Sequence, residues 1–398
     1  MTVTVILPTT QLPLIDVFAV EDDSAQVIWR RLPDGHLTAL VENNEQDLGA
    51  SGRPGAAELR GLQPGVTQSV DLLVNGLITA QTSVCTLPAT SASSTKIATI
   101  SDLHFGETGF GLIKQLRDHG AGPDPYPLRC ARSAARDAVE WGAELLIIKG
   151  DITCDSRPEE WEMFDDFLAD VSIPIMAIPG NHDVVNQLGS RDCTEELQRR
   201  SLFPQPVTQR DIGGIRIVAV DSTVPGRSWG NIGRWHNEIR EAVDTDQPAM
   251  VFTHHHLEER PIPCFWPLGV RYLDGIRIVD SLLEANPDLF LSSGHTHRNR
   301  MRRRRSAVIT EVSSTKDYPG VWAGYVLSTT GVRQVVRRVS DPDSIRWTDH
   351  THAAVGGVWG RWSPGPLDQR SFAHEWTRSY KVSPTRVQSQ TPPEVWPI

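Results

Sequence analysis

The sequence predicts an α/β protein in which a two-sheet αββα sandwich follows a small all-β sandwich. Three observations carry that prediction. From Ile97 onward, short apolar runs alternate with longer amphipathic stretches, the pattern of strands and helices in turn. Residues 1–90 hold only short β-branched runs separated by Gly, Pro, Asn and Asp. Between the two lies Ala89-Thr-Ser-Ala-Ser-Ser-Thr-Lys96, a polar stretch with the composition of a linker. The expected units are residues 1–90, residues 97–339 and a C-terminal extension, 340–398.

In the first unit, strands are expected at Thr2–Leu7, Ile15–Val20, Gln26–Arg31, Thr67–Val74 and Leu77–Cys85. The stretch Ala25–Trp29 and the turn Leu62–Val70 resemble a fibronectin type III sandwich, with Trp29 as its core tryptophan. Gln68 stands where such domains carry a corner tyrosine, which puts the corner hydrogen bond in doubt. In the second unit, buried strands are expected at Ile97–Ser101, Leu145–Lys149, Ile173–Ile178, Ile215–Val220, Met250–Thr253 and Leu289–Ser292. Helices are expected between them at Pro127–Trp141, Glu159–Asp170, Thr194–Arg200, Trp235–Val243 and Ile278–Glu284, the first stopped by Gly142. Strands at Ala307–Val312, Val321–Ser328 and Gln334–Arg338 then close a second sheet. The extension holds five of the twelve tryptophans (Trp347, Trp359, Trp362, Trp376, Trp396) and few aliphatics, so irregular structure packed on the second unit or on another subunit is expected.

A net charge of −10 argues against a general nucleic-acid binder, which needs a basic field. Five cysteines (Cys85, Cys130, Cys154, Cys193, Cys264) without CxxC spacing suit a reducing compartment. No secretory leader is read at the start, and no run approaches 18 apolar residues. The expectation is a soluble, cytoplasmic protein with no membrane partner.

Five short segments follow apolar strands and read together as one dinuclear metal site: Asp102-Leu-His104, Gly150-Asp151, Gly180-Asn-His-Asp183, Thr253-His-His255 and Gly294-His-Thr-His297. Parallel strands ending on one edge would bring them together. Two divalent ions about 3.5–4 Å apart share a bridging carboxylate and a bridging water. Asp151 suits the bridge, because Gly150 permits close backbone approach. Asp102 and His104 lie two apart on expected extended chain, so both can point to one side, and His295 and His297 repeat that spacing. Asn181 adds an amide oxygen. This mixture of imidazole and carboxylate suits Mn, Fe, Zn or Ni better than Ca or Mg. A site of this composition hydrolyses phosphate esters.

The order DxH, GD, GNHD, H, GHxH resembles the calcineurin-like metallophosphoesterases over roughly residues 97–335. The stretches from Gly150 to Asp183, with Glu160 and Phe164 between, and from Gly230 to Ile239 look most like the class III cyclic-nucleotide phosphodiesterase branch. The resemblance implies one metal held by Asp102, His104, Asp151 and His297, and a second by Asp151, Asn181, His254 and His295. It further implies that His182 faces the scissile phosphate as general acid or transition-state stabiliser and that Asp183 orients it. The purple acid phosphatases differ: they carry a tyrosine where this chain has Cys154, lack the histidine present here as His104, and end the third motif in Glu rather than Asp183.

Within His254-His255-His256, the strand alignment favours His254 as the ligand over His255, and places His256 at the rim. The run Arg298–Arg305 reads as a solvated hairpin, or alternatively as a contact for a polyanionic substrate. Phe265 and Trp266 could stack on a substrate base or plug a loop. The Gly106, Gly109, Gly111 cluster lacks the Lys of a P-loop and reads as a pliable loop over the metals.

The expected activity is hydrolysis of a small phosphodiester, such as a cyclic nucleotide or a glycerophosphodiester, by a metal-bridging hydroxide. A phosphomonoesterase with the same site is the near alternative, and a nuclease the more distant one. An interaction protein using the fibronectin-like module, which could also serve a homo-oligomer interface, is the non-catalytic alternative.

Overall fold

A computed structural model describes residues 13–89, 94–111, 114–119, 122–184, 205–262 and 267–378, together with Leu197, Phe203 and Tyr380. The expected strand Thr2–Leu7, most of the helix Thr194–Arg200, the middle of the linker, Phe265, Trp266 and Trp396 lie outside the described residues.

Seven strands build the first unit: β1 (Leu14–Val20), β2 (Ser24–Arg30), β3 (His36–Val41), β4 (Asn44–Ala50), β5 (Gly55–Arg60), β6 (Thr67–Val74) and β7 (Leu77–Cys85). They pair as β1-β2-β5 and β4-β3-β6-β7 around a core containing Trp29, Leu37, Val70 and Leu72. β3, β4 and β5 were not expected from the sequence. β4 reads Asn-Glu-Gln-Asp-Leu-Gly-Ala with no buried residue, so as an edge strand it carries no apolar alternation. Gln68 is buried, and its Oε1 accepts from the amide of Gln63 at 2.7 Å.

The second unit contains β8 (Thr95–Ile100), α1 (Tyr126–Glu140), β9 (Leu146–Lys149), α2 (Pro158–Ala169), β10 (Ile175–Ile178), α3 (Asn181–Val184), β11 (Val207–Ile212), β12 (Ile215–Val220), α4 (His236–Val243), β13 (Ala249–Thr253), α5 (Tyr272–Ala285), β14 (Leu289–Ser293), β15 (Arg300–Arg304), β16 (Ala307–Glu311), β17 (Val321–Leu327) and β18 (Gly331–Arg338). β8, β9 and β10 run parallel, as do β12, β13, β14 and β16. The two six-stranded sheets face each other across Ile97, Ile147, Ile217, Met250, Phe252, Phe290 and Tyr325. α1 and α2 cover the outer face of one sheet, and α4 and α5 cover that of the other. This is the expected αββα sandwich.

The extension departs from expectation, because it is regular. It forms α6 (Pro342–Thr351), α7 (Val358–Trp362), α8 (Leu367–Arg370) and β19 (Ser371–Glu375), and β19 pairs antiparallel with β18. Its scarcity of aliphatics is offset by buried Trp347, Phe372 and Trp376, which an aliphatic periodicity does not register. The first unit docks on this edge. Gln26 exchanges two hydrogen bonds with the backbone of Arg338, and Arg337 pairs with Glu21 and Glu58.

Candidate metal centre

The strands place the candidate residues at one edge. Asp102 and His104 follow β8, Asp151 follows β9, Asn181 opens α3 after β10, His254 follows β13, and His295 and His297 follow β14. The expectation that Asp-x-His pairs lie on extended chain is corrected. Asp102, His104, Asp151, His295 and His297 all have positive φ, between 47° and 69°. The same-side presentation comes from these left-handed kinks beyond the strand ends, with Leu103 turned into the core.

Four overlapping groups of ligand atoms result, the atoms of each within 4.8 Å of one another: Asp102/His104/His297, His104/Asp151/His182, Asp102/Asp151/His254 and His254/His255/His295. Asp151 stands at their centre. Its Oδ1 lies 3.3 Å from His254 Nε2, and its Oδ2 lies 3.5 Å from His104 Nε2. Asn181 Oδ1 and His295 Nδ1 lie 3.2 and 3.1 Å from His254 Nε2. His297 Nε2 is 3.4 Å from Asp102 Oδ1. Two glycines make the approach possible. A Cβ on Gly180 would sit 2.2 Å from Asp151 N, and one on Gly150, whose φ is +82°, would sit 2.7 Å from His254 Nδ1.

Three of the four candidate imidazoles are oriented through their other nitrogen. His254 Nδ1 donates to Lys149 O at 2.8 Å, His295 Nε2 to Leu268 O at 3.0 Å, and His297 Nδ1 to Asp317 Oδ2 at 2.6 Å. These bonds leave one nitrogen per ring for a cation. His104 Nε2 is buried without a hydrogen-bond partner. Burial, then the nearby Lys316 ammonium, holds the His104 imidazole neutral, well below its ordinary range; burial, then His254, does the same to His295. Burial favours the neutral Asp102 carboxyl, but the charge and hydrogen bond of His297 hold it down to about 2. Asp151 is likewise held ionised against burial, first by His254 and then by His182. Against burial, the Asp151 carboxylate raises His254 to about 9, and the Asp317 and Asp102 carboxylates raise His297 to about 10, so these two rings hold protons that a divalent ion would displace. His104, His295 and the ionised carboxylates already have the metal-binding form, and the donor set fits a pair of divalent ions.

Two expectations change. His182 Nδ1 contacts Cys154 O at 2.7 Å, and Asp183 does not orient it. Asp183 accepts four hydrogen bonds instead, from the amides of Ile152, Thr153 and Gly180 and from the Thr153 hydroxyl. A carboxylate one residue past His182 at the start of α3 turns back to the Gly180 amide of its own turn and across to the loop after β9, not toward the His182 ring. His256 is not at a rim. It is buried, 3.6 Å from Glu258. His255 contacts Ser222 through Nδ1 at 2.8 Å, and its Nε2 has no hydrogen-bond partner.

The arginine run does form a hairpin, β15 with β16, and Arg303 and Arg305 are exposed, but the other arginines are paired with acidic neighbours rather than simply solvated. Arg298 pairs with Glu311, Arg300 and Arg302 pair with Glu259 and Glu311, and Arg304 pairs with Asp280. Sequence reasoning also passed over Lys149, Glu107, Lys316 and Asp317. Lys149 Nζ bonds Ser292 Oγ and Ser293 O across the two sheets, and burial pushes its pKa down to about 7. Lys316 joins Glu107 at 2.6 Å and Asp317 at 3.4 Å. The signal for Lys149 was a charged residue ending an otherwise apolar strand.

The calcineurin-like phosphoesterase family pattern matches residues 95–299. The chain belongs to this family. A probable cyclic nucleotide phosphodiesterase of Psychrobacter sp. strain PRwf-1 is 25% identical over 197 residues, 47% of this chain and 55% of that protein. The glycerophosphodiester phosphodiesterase GpdQ of Enterobacter lignolyticus is 28% identical over 236 residues, 55% and 77% of the two chains. The 3',5'-cyclic adenosine monophosphate phosphodiesterase CpdA of Pseudomonas aeruginosa is 29% identical over 224 residues, 54% and 74%. The chain thus spans little more than half of the first of these relatives. The family segment contains the whole candidate cluster.

Proposed function

We propose that this calcineurin-like phosphoesterase is a phosphodiesterase acting on a small phosphodiester, with a cyclic nucleotide as the first candidate. The observation that carries the reading is Asp151, whose two oxygens each approach a histidine from a different one of the ligand groups. Asp102, His104, Asp151 and His297 would hold one divalent ion, and Asp151, Asn181, His254 and His295 the other. Mn, Fe or Zn suits these donors. When bound, the pair supplies charge neutralisation for the phosphoryl oxygens and acidifies the attacking water. His182 then presents Nε2 as the proton-donating atom, its Nδ1 being committed to Cys154 O. The relatives named as cyclic nucleotide and glycerophosphodiester phosphodiesterases support a diester over a monoester.

The sheet orders β1-β2-β5 and β4-β3-β6-β7 support a fibronectin type III-like first unit. We read the protein as cytoplasmic, with the unpaired Cys85, Cys130 and Cys154 supporting a reducing compartment. No helix among the described residues is long and apolar enough to cross a membrane. The test is hydrolysis of bis(p-nitrophenyl) phosphate against p-nitrophenyl phosphate with Mn²⁺, using Asn181→Ala as control. A diester preference lost in the variant is expected. Equal or faster monoester turnover would move the function to a phosphatase.

A further inference from the structure

The C-terminal extension reaches the ligand cluster, and we propose that Trp359 is a positioning residue for the first ion site, acting through Asp317 on His297. The inference rests on the reading above that Asp102, His104, Asp151 and His297 hold a divalent ion.

The connection is continuous. His297 Nδ1 donates to Asp317 Oδ2 at 2.6 Å, and Trp359 Nε1 donates to the other oxygen, Oδ1, at 3.2 Å. Asp317 is fully buried. The Trp359 ring lies 6.1 Å from the His297 ring and 5.4 Å from that of Phe110. α7 is tied to both flanks of this pair. The Asn299 amide donates to Ser363 O at 2.9 Å, the Ser363 hydroxyl donates to Tyr318 O at 2.8 Å, and the Arg298 guanidinium covers the Trp362 ring at 4.8 Å.

The geometry gives the indole a defined task. His297 aims Nε2 at Asp102 only while its ring is held through Nδ1. The carboxylate that holds it has Lys316 near Oδ2 at 3.4 Å and Trp359 on Oδ1. With the indole N–H gone, rotation of the Asp317 carboxylate is opposed from one side only, and the imidazole follows it. Partners of this kind typically change metal affinity by 10–100-fold. The extension thereby becomes part of the metal site, although it lies outside the matched family segment.

The experiment is a Co²⁺ titration of chelator-treated full-length protein, followed by visible absorption and calorimetry. Wild type is expected to show two binding steps, and Asp151→Ala neither with native affinity. Trp359→Phe keeps a ring and removes the N–H; one step should weaken about tenfold with a shifted Co²⁺ band, the other staying within about twofold. Asp317→Asn should weaken the same step. Trp376→Phe is the structural control, since it removes an indole bond (to Ser328 O, 3.1 Å) elsewhere in the extension, and should leave both steps unchanged. Trp359→Phe with both steps at wild-type affinity, or with both weakened together, overturns the inference while leaving the two-ion reading intact. Failure of wild type to bind two ions, or undiminished binding by Asp151→Ala, removes the two-ion reading and this inference with it.

Discussion

Asp183→Ala separates two roles for a residue that follows His182 directly. In the structure its carboxylate accepts from the amides of Ile152, Thr153 and Gly180 and from the Thr153 hydroxyl, at 2.7–3.1 Å. Alanine leaves three buried main-chain donors without acceptors. At about 1 kcal/mol or more for each, the loss is at least about 3 kcal/mol. For a unit of this size, that corresponds to a fall in melting temperature of roughly 6–12 °C. The donors flank Asp151 and Asn181, so the variant should also take up fewer ions. Differential scanning calorimetry and elemental analysis of the purified variant read both effects. A residue that served only to aim His182 would give a different protein: normal melting, two ions and slow turnover. That result would refute the capping argument.

Three further outcomes are expected. Gly180→Ala places a methyl 2.2 Å from Asp151 N and Oδ1, and a displacement of about 1 Å at this carboxylate should cost roughly 100-fold in kcat/KM; kinetics within about threefold of wild type would contradict it. His254→Ala should retain one of two ions and His255→Ala both, because only His254 Nε2 is placed at Asp151, Asn181 and His295 together; elemental analysis checks the difference. Burial, and then the Arg303 guanidinium that bonds its Nδ1 at 3.0 Å, hold His374 down to about 4 from 6.5. The unfolded chain takes up that proton first, so stability is full above pH 6.5 and declines as pH falls from there toward 4. His374→Gln should flatten that part of the melting curve against pH, and an unchanged slope would exclude His374 as its source.

The sheets and the ligand cluster were legible because they depend on residue type and period. β12 is found at the expected residues, and β8, β9, β13, β14 and β17 lie within a residue or two of expectation. Ends carrying Asp-x-His, Gly-Asp and Gly-His-x-His then announce a common edge. Less was legible where long-range contacts decide. β15 carries four arginines and has no strand-like alternation, yet it pairs with β16 because Glu259, Glu311 and Asp280 neutralise it. β19 is a short edge strand set by the backbone of β18. Asp317 resembles any other loop acid until His297 and Trp359 are seen on its two oxygens.

The backbone of the ligand loops shows why motif and mechanism can be read here while local propensity is silent. Five candidate ligands occupy left-handed conformations, each costing about 1–2 kcal/mol for a residue with a Cβ. Such a set, on the order of 5–10 kcal/mol, survives only if surrounding contacts over-determine it. Those contacts are present and specific. Asp102 accepts from the His295 amide and the Ser101 hydroxyl, Asp151 from the His182 amide, and Asp183 from three donors of the loop after β9 and from the Gly180 amide of its own turn. Each of these bonds joins the end of one strand to a loop from another, or fixes the side chain that does so. Removing a non-ligand such as Asp183 should therefore disturb ion binding as well as stability, whereas a residue far from the edge, such as Trp376, should disturb stability alone. The ratio of those two effects, variant by variant, measures how much of the network serves the ligands rather than the fold.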